Sequence, residues 1–315
     1  MFVIDKYLGS NKVLWNDFVA KAKNSHFFFH RDYMEYHADR FEDHSLMVYN
    51  DKNKLIALLP ANVKGGVLYS HQGLTFGGLL TDASMRTEMV LDIFESIQHY
   101  CRELGVLKLV YKCIPHIYHR IPSEEDRYAL FRMGAQLVRR DVSASINLME
   151  VVRYSKGRKW TVNKSKKEGL TVQESQDLSS FWTLLDDTIM KQHAAKPVHT
   201  LEEMEGLLGR FPDHIRLFTV HKDEQLVAGS LMYENQHIVH TQYLANSDEG
   251  RDLGALDFLL DYLIKDKYKD KRWFDFGISN EEQGRVLNAG LMAQKEGFGA
   301  RAVVHDFYEL DMSGE

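Results

Sequence analysis

Residues 273–308 read WFDFGISNEEQGRVLNAGLMAQKEGFGARAVVHDFY, and this stretch carries the strongest indication of the fold. Its apolar start predicts a buried strand, Trp273–Phe276, that runs into a polar loop. A short helix over about Gln283–Ala293 is predicted next, then a glycine-rich turn that holds Lys295, and then a last strand, Ala302–Tyr308. A strand, a helix and a strand in this order are typical of an α+β domain.

Polar side chains are concentrated where these predicted elements end. They could form a functional site, because rigid elements hold reactive side chains more accurately than loops do. The alternative is that several of them are only helix caps and solvated loop positions. The residues in question are Asp275, Asn280, Glu281, Lys295, His305, Asp306 and Tyr308.

The composition is that of a soluble globular protein. Of the 315 residues, 44% are apolar and 27% are charged, which is enough for one large core or two ordinary ones. The two cysteines, Cys101 and Cys113, do not make a disulfide framework. No cysteine or histidine cluster has the spacing of a zinc site. We therefore expect a reducing compartment and no bound metal.

The sequence also lacks the patterns of export and membrane insertion. The first residues, MFVIDKYLGSNKVLW, have no basic leader followed by an apolar core. No segment holds about 18 apolar residues in a row, the length that a membrane-spanning helix needs. We expect a cytoplasmic protein without a transmembrane segment. The net charge of −6 argues against a DNA-binding protein.

The order of predicted elements occurs twice. Each half of the chain has a helical lead, three antiparallel strands, a long helix, a strand, a short helix and a final strand. The first half closes with a long predicted strand, Gln136–Met149, in which Ser143 and Ser145 alternate with apolar residues. We predict the α+β class, with mixed and mostly antiparallel sheets flanked by helices. The two predicted domains cover residues 1–150 and 151–315.

The second half opens with a strongly basic segment, residues 153–167. At helical spacing, Trp160 and Val162 are expected to face inward while the basic side chains project into solvent. A solvated helix face and an anion-binding face both fit this pattern. The basic residues are Arg153, Lys156, Arg158, Lys159, Lys164, Lys166 and Lys167.

A second candidate site lies where a predicted strand, His237–Leu244, runs through the loop 247–253 into a helix that begins at Gly254. This arrangement points several backbone N–H groups and the positive end of the helix at one place, which suits a pyrophosphate or an oxyanion. Tyr243 could act there as an acid towards a leaving group. The residues expected to hold a donor are Gln242, Leu244, Arg251, Gly254 and Ala255.

The residues of this junction resemble those of a known family. The run Arg251-Asp252-Leu253-Gly254-Ala255-Leu256 is similar to the phosphate loop of the GNAT acyltransferases, Arg/Gln-x-x-Gly-x-Gly/Ala, with leucine in place of the last small residue. Further segments resemble a narrower branch, the FemABX-like peptidyltransferases, which carry two GNAT-like domains in tandem. These segments are Lys164–Leu170, Gly77-Gly78, Pro115-His116-Ile117-Tyr118, Phe274–Gly277, Gly290-Leu291, Lys295 and Phe298-Gly299.

The resemblance implies an enzyme. Members of this branch transfer an aminoacyl group from aminoacyl-tRNA to an amine of a cell-wall precursor, and related members use acyl-CoA. By the same resemblance, Lys295 stabilises the tetrahedral intermediate. Expected partners are therefore a small-molecule amine acceptor such as a cell-wall or lipid precursor, and either tRNA or coenzyme A as the carrier of a co-substrate. No tightly bound cofactor is implied.

Several residues remain candidates for the proton acceptor, and the roles are open. Asp275, Glu281, His305 and Asp306 carry groups that can take a proton from an attacking amine. A buried aspartate more often accepts structural hydrogen bonds, and a lysine in a glycine-rich turn such as Lys295 could also be an ordinary surface residue. Asn280, Glu281 and Tyr308 are expected to line the acceptor. The rival hypothesis is an inactive tandem domain that binds an anionic ligand through residues 153–167.

Overall fold

The computed structural model describes residues 2–193 and 196–313. It confirms the predicted α+β class, with mixed and mostly antiparallel sheets accompanied by helices. The chain forms two compact units. Unit 1 comprises residues 1–142, 282–286 and 304–315, and unit 2 comprises residues 143–281 and 287–303. Both units are therefore discontinuous in sequence, whereas the two predicted domains are continuous and meet near residue 150.

The strands follow the predicted order closely. In chain order they are β1 (Val3–Lys6), β2 (Glu42–Asp43), β3 (Leu46–Tyr49), β4 (Leu55–Leu59), β5 (Asn62–Lys64), β6 (Val67–Tyr69), β7 (Leu80–Thr81), β8 (Lys108–Lys112), β9 (Gln136–Asn147), β10 (Leu170–Ser175), β11 (Ile215–Lys222), β12 (Gln225–Glu234), β13 (Ile238–Asn246), β14 (Trp273–Ile278), β15 (Asn280–Glu281), β16 (Val286–Leu287) and β17 (Arg301–Asp311).

The helices are mostly short. They are α1 (Lys12–Lys21), α2 (Arg31–Met34), α3 (Thr87–Glu103), α4 (Glu125–Arg132), α5 (Lys156–Ser165), α6 (Leu178–His193), α7 (Leu201–Arg210), α8 (Asp248–Leu253), α9 (Ala255–Tyr262) and α10 (Ala289–Gly297). Helix α9 continues into a π-helical segment, Leu263–Lys267. Turns of 3₁₀ helix occur at Gly9–Asn11, Phe27–Phe29, Glu35–His37, His116–Tyr118 and Glu282–Gly284.

Unit 1 contains an antiparallel sheet in the order β1-β3-β4-β7. Its other strands include β2, β5, β6, β8, the part of β9 up to Val142 and the part of β17 from Val304 onward. Strands β6 and β8 are parallel, while β17 and β8 are antiparallel. Helix α3 packs an apolar face, which includes Ile93, Ile97 and Cys101, into the core of this unit. Helix α3 ends before Gly105, whose positive φ of 68° is a conformation that glycine adopts without strain.

Unit 2 contains the strands β10-β11-β12-β13-β14 in that spatial order, followed by the part of β9 from Ser143. All neighbouring pairs are antiparallel except β13 and β14. A capping box is present at the start of α7: the Thr200 hydroxyl accepts from the Glu203 N–H, and the Glu203 carboxylate accepts from the Thr200 N–H. This box fixes where α7 begins.

Three predictions about local structure are wrong. The predicted loop 247–253 is mostly helical, since α8 covers Asp248–Leu253. The helix predicted at Gln283–Ala293 begins only at Ala289, because residues 282–284 form a turn in which Gln283 has a φ of 55°. Lys295 therefore lies in the last turn of α10 and not in a glycine-rich turn. Trp160, predicted to face inward, is 67% exposed, whereas its neighbour Val162 is buried as predicted.

Candidate active site

The parallel strands β13 and β14 form a fork in unit 2. They pair over three positions only, from Ile238 opposite Trp273 to His240 opposite Asp275. Strand β13 then continues to Asn246, while β14 continues beside β9. Where two parallel strands separate, their carboxyl-terminal ends leave backbone groups unpaired and open a crevice that is suited to a ligand. His240 and Asp275 stand at the point of separation.

The carboxylate of Asp275 lies at the base of this fork and is completely buried. Its Oδ1 accepts hydrogen bonds from the hydroxyls of Ser143, at 2.7 Å, and Ser145, at 2.6 Å. Its Oδ2 lies 2.8 Å from Nδ1 of His240. Strand β9 supplies both serines, and the pairing of Ser145 with Asp275 places them beside the carboxylate. Hydroxyl donors favour the ionised form of a carboxyl group, so Asp275 acts as an acceptor for three side chains.

The contact with Asp275 sets the tautomer of the His240 ring. A carboxylate can only accept, so Nδ1 of His240 carries the hydrogen of this bond. In a neutral ring, Nε2 then carries the lone pair, and it can take a proton from a substrate. The His240 side chain is 14% exposed, which is partial access to solvent. His240 and Asp275 thus form a dyad with the geometry of a positioned general base.

Gly277 joins the dyad to the next element of the site. Its φ is 76°, and a Cβ at this position would lie 3.0 Å from Cε1 of His240. The backbone of β14 can approach the imidazole this closely only because Gly277 has no side chain. The same residue presents its carbonyl oxygen to Lys295.

We expect a Gly277→Ala variant to lose activity and some stability. The left-handed conformation costs a residue with a Cβ about 1–2 kcal/mol, and the methyl group would also push the His240 ring. Thermal unfolding and turnover of the same preparation measure the two effects. Gly105→Ala is the matched control, because Gly105 also has a positive φ, while a methyl group there would meet no described atom within 4 Å. Equal losses of activity in both variants would contradict the role given to Gly277.

The ammonium group of Lys295 reaches the fork from α10. Lys295 is only 5% exposed, so the interpretation as an ordinary surface lysine is wrong. Its Nζ donates to the carbonyl oxygens of Gly277 and Ile278, both at 2.8 Å. Burial lowers the pKa of Lys295 to about 8, and the negative charge of Asp275 opposes that shift. Since an ammonium group has three donors and two are used here, one N–H remains for a substrate oxygen.

The loop after β14 is tied to the start of α10. Asn288 caps α10 by accepting from the Leu291 N–H at 3.0 Å, and its own N–H donates to the Ser279 carbonyl at 2.9 Å. Its side-chain amide also donates to the Glu281 carboxylate at 3.1 Å. The predicted acceptor residues Asn280 and Glu281 therefore lie on a loop that is fixed to the helix bearing Lys295.

The predicted donor residues on β13 lie in an irregular part of the strand. The pairing with β12 shifts between Leu231 and Met232, so Gln242 is the extra residue of a β-bulge. A bulge turns backbone groups away from the sheet ladder and frees them for a ligand. Leu244 returns to regular pairing, opposite Ser230. The hydroxyl of Tyr243 lies 2.7 Å from Nδ1 of His199, and burial raises the pKa of Tyr243.

The start of α9 is enclosed. Gly254, with a φ of 71°, separates α8 from α9, and a Cβ on it would lie 3.0 Å from Thr161 and 3.4 Å from Ser165, both on α5. Ala255 is completely buried. The Asp257 carboxylate, in the first turn of α9, is paired with Arg158. Helix α5 thus lies over the helix end that the sequence pattern assigns to a phosphate.

Arg251 is engaged in an ion pair within α8. Its guanidinium group is 40% exposed and lies 3.2 Å from the Asp248 carboxylate, one turn earlier in α8. The Asp248 carboxylate also pairs with Lys191 at 2.9 Å. Arg251 would have to leave Asp248 to contact a phosphate.

Three of the predicted residues belong to unit 1. His305 packs edge-on against Phe76, with ring centroids 6.3 Å apart. Asp306 is almost completely buried and accepts from Arg140 at 2.6 and 3.0 Å and from Arg127 at 3.2 Å. Tyr308 pairs with Tyr111 of β8, and burial raises the pKa of its hydroxyl. The contacts of Asp306 are those of a structural ion pair.

Three residues of the fork were absent from the predicted site. Ser143, Ser145 and His240 all stand in predicted strands, and the alternation of Ser143 and Ser145 places both on one face. The partner strand that this face meets depends on the order and register of the sheet, which short patterns do not specify. No short sequence pattern therefore indicates the contact between His240 and Asp275.

Among residues 2–193 and 196–313, no group of three or more histidine, cysteine, aspartate or glutamate side chains could hold a metal ion. In the same part of the chain, no helix is long and apolar enough to cross a membrane.

Comparisons with known proteins identify the fold of the chain. Residues 153–283 match the family model of the acetyltransferase (GNAT) domain. No curated protein sequence matches the chain. The structure of FemX is similar over 96% of this chain and 96% of its own, with a TM-score of 0.67 at 11% identity.

Two further solved structures are similar along most of their length. The C-terminal domain of a putative lysylphosphatidylglycerol synthetase from Agrobacterium fabrum has a TM-score of 0.61 at 11% identity, covering 96% of this chain and 91% of its own. A tandem GNAT protein from the clavulanic acid biosynthesis pathway has a TM-score of 0.53 at 12% identity, covering 99% of both chains. The predicted tandem GNAT fold is thereby confirmed.

Proposed function

We propose that this GNAT-fold protein is an acyltransferase that moves an acyl or aminoacyl group from an activated donor to a primary amine. The observation that carries the proposal is the fork in unit 2, where the His240–Asp275 dyad and the Lys295 ammonium group are both held against Gly277. A base and a buried cation at one place are the two groups that acyl transfer to an amine requires.

In the proposed reaction, the nitrogen of the amine attacks the donor carbonyl and forms the new C–N bond. Nε2 of His240 takes the proton that the nitrogen loses, and Asp275 stabilises the imidazolium that results. The carbonyl oxygen becomes an oxyanion, which accepts the remaining N–H of Lys295. When the intermediate collapses, the bond to the leaving group breaks, and the leaving thiolate or alkoxide receives a proton. Tyr243 is a candidate for that last donation.

The enclosed start of α9 bears on the choice of donor. An acyl-CoA bound in the GNAT manner needs open N–H groups at this helix end, and here α5 lies over Gly254 while Asp257 occupies the first turn. We infer that the donor is held mainly by the β13 bulge at Gln242 and by the fork. This supports an aminoacyl ester, as in aminoacyl-tRNA, over acyl-CoA.

The acceptor we propose is an amine of the cell envelope, such as a cell-wall or lipid precursor, reached from the cytoplasm. Cys101 and Cys113 are both buried and unbridged, which supports a reducing compartment. Asn280 and Glu281, on the loop fixed to α10, are proposed to contact this amine, because a carboxylate and an amide suit an ammonium-bearing acceptor.

Donor screening tests the proposal directly. The purified protein is incubated with labelled aminoacyl-tRNA, acetyl-CoA or a long-chain acyl-CoA, each with a mixture of primary amines. We expect one donor to raise the unfolding temperature and to yield an amide product. The alternative function, an inactive module that binds an anion through residues 153–167, predicts no product with any donor and salt-sensitive binding of a polyanion. That result would overturn the acyltransferase proposal.

A further inference from the structure

Helix α5 presents a basic face to solvent. At 100° per residue, Lys156, Lys159, Trp160 and Lys164 fall within an arc of about 140° of α5. These four residues, together with Lys167 in the turn that follows the helix, are called the α5 basic face. All five side chains are exposed. The opposite side of the helix, with Val162 and Ser165, is buried. One side of α5 therefore packs against the protein, and the basic side is in contact with solvent.

The lysines of this face are largely unneutralised. Among the described residues, Lys156, Lys159 and Lys167 make no ion pair, and Lys164 donates to the Asp252 carbonyl oxygen, which leaves its charge uncompensated. The single arginine of α5, Arg158, lies on the other side and pairs with Asp257. A concentrated positive charge thus stands on a protein whose net charge is −6, and such a contrast orients a protein towards an anionic partner.

An exposed indole stands in the middle of these lysines. Trp160 is 67% exposed, and the ammonium of Lys164 lies 6.0 Å from its ring centroid. The segment that leads into α5 also exposes apolar side chains, with Met149 at 59% and Val151 at 79%. An exposed tryptophan among lysines is typical of a helix that lies in the headgroup region of a bilayer.

We propose that the α5 basic face docks on the surface of an anionic lipid bilayer, with the lysines against the headgroups and Trp160 at their level. This inference does not depend on the proposed reaction, because none of these side chains belongs to the fork.

The composition of the face favours lipid over RNA. Lysine ammonium groups are point charges suited to a diffuse anionic surface, whereas the forked guanidinium that recognises individual phosphates is turned away at Arg158. A single aromatic side chain is a poor platform for stacking successive bases.

Vesicle binding tests the proposal. The intact protein is mixed with vesicles of phosphatidylglycerol and phosphatidylcholine, or of phosphatidylcholine alone, and the bound fraction is measured by co-flotation at low and high salt. We expect salt-sensitive binding to the anionic vesicles only. The Lys156→Gln/Lys159→Gln variant should bind about 25-fold more weakly, at about fivefold for each lysine near the surface.

Tryptophan emission supplies a second readout. Trp15 and Trp182 are buried, at 0% and 5% exposure, and Trp273 is half-buried, so a shift to shorter wavelength on binding should come chiefly from Trp160, which is 67% exposed. The shift should disappear in Trp160→Phe. Lys52→Gln/Lys54→Gln is the matched control, because it removes two exposed lysines of a turn in unit 1 and should bind as the wild type does.

Three outcomes would overturn the proposal. The first is equal binding to neutral and anionic vesicles, and the second is anionic binding that the α5 lysine variant leaves unchanged. The third is an absence of vesicle binding together with tRNA binding that falls in the same variant, which would assign the face to RNA. Melting curves that match the wild type confirm that each variant is folded.

Discussion

A Lys295→Met variant should lose about 10²–10³-fold in turnover, the usual cost of removing one donor to an oxyanion. Methionine keeps most of the volume of the lysine stem in a site that is 5% exposed, so the loss comes from the ammonium group and not from a cavity. The effect should fall on kcat more than on KM, because the oxyanion exists only in the transition state and the intermediate. Steady-state kinetics with the donor identified by screening measures it.

Lys271→Met is the control for this experiment. The Lys271 ammonium also donates to two consecutive backbone carbonyls, those of Asn235 at 2.7 Å and Gln236 at 3.3 Å, and it lies in the same unit. If capping carbonyls is all that Lys295 does, both variants will lose stability and neither will lose turnover selectively. That pattern would refute an electrostatic role for Lys295.

The pH dependence follows from the pKa of Lys295. With a value of about 8, the ammonium form is lost as the pH rises through that point, so kcat/KM should fall above about pH 8. If neutral Lys295 were the base, activity would rise there instead. Because the folded pKa lies below the ordinary lysine value of 10.5, the unfolded chain binds more protons between about pH 8 and 10.5. Wild-type stability should therefore rise with pH in that window, relative to Lys295→Met.

The second large effect is expected at His240. His240→Ala should lower kcat by about 10²–10⁴-fold, the usual contribution of a positioned general base, and added imidazole should restore part of the activity. Rescue by imidazole distinguishes a missing base from a damaged fold. His214→Ala is the control, because Nδ1 of His214 makes a comparable 2.8 Å contact with the Glu234 carbonyl in the same unit. Full activity in His240→Ala would remove His240 from the mechanism.

Asp275→Asn examines the other half of the dyad. An amide can donate to Nδ1 as well as accept, so the neutral His240 ring would populate the tautomer that puts its hydrogen on Nε2. We expect kcat to fall while donor binding is retained, since Asp275 positions the base and is buried away from solvent. Loss of donor binding together with kcat would instead indicate a purely structural carboxylate.

The sequence was sufficient for the fold because its signals are local and repeated. Alternating apolar residues indicate the strands. Gly105 indicates the end of α3, and Thr200 with Glu203 indicates the start of α7. The structure contains the strands and both helix ends at these positions. The misplaced helix after β14 shows the limit of such signals. The turn at Gln283 depends on a positive φ in a residue that rarely adopts it, and no composition rule indicates that.

The candidate site was predicted only in part. Lys295 and Asp275 are predicted from the sequence as polar groups in unusual places, and the structure places both at the fork. The partners of Asp275 were not predicted. Ser145 and His240 contact Asp275 through pairings between strands that are far apart in sequence. The helical spacing of apolar residues predicts that both Trp160 and Val162 face inward, and only Val162 does. This spacing does not indicate which of two neighbouring apolar side chains is exposed to solvent.

The path of β17 has a consequence for how the protein is made. Residues 307–311 pair with β8, which was synthesised some two hundred residues earlier, and both belong to unit 1. Nearly all of unit 2 therefore leaves the ribosome before unit 1 can complete its hydrogen bonding. During translation, the edge of β8 that later pairs with β17 stays unpaired, and chaperones bind unpaired edges of this kind. Synthesis from the N-terminus to the C-terminus thus favours the folding of unit 2 before unit 1 is complete.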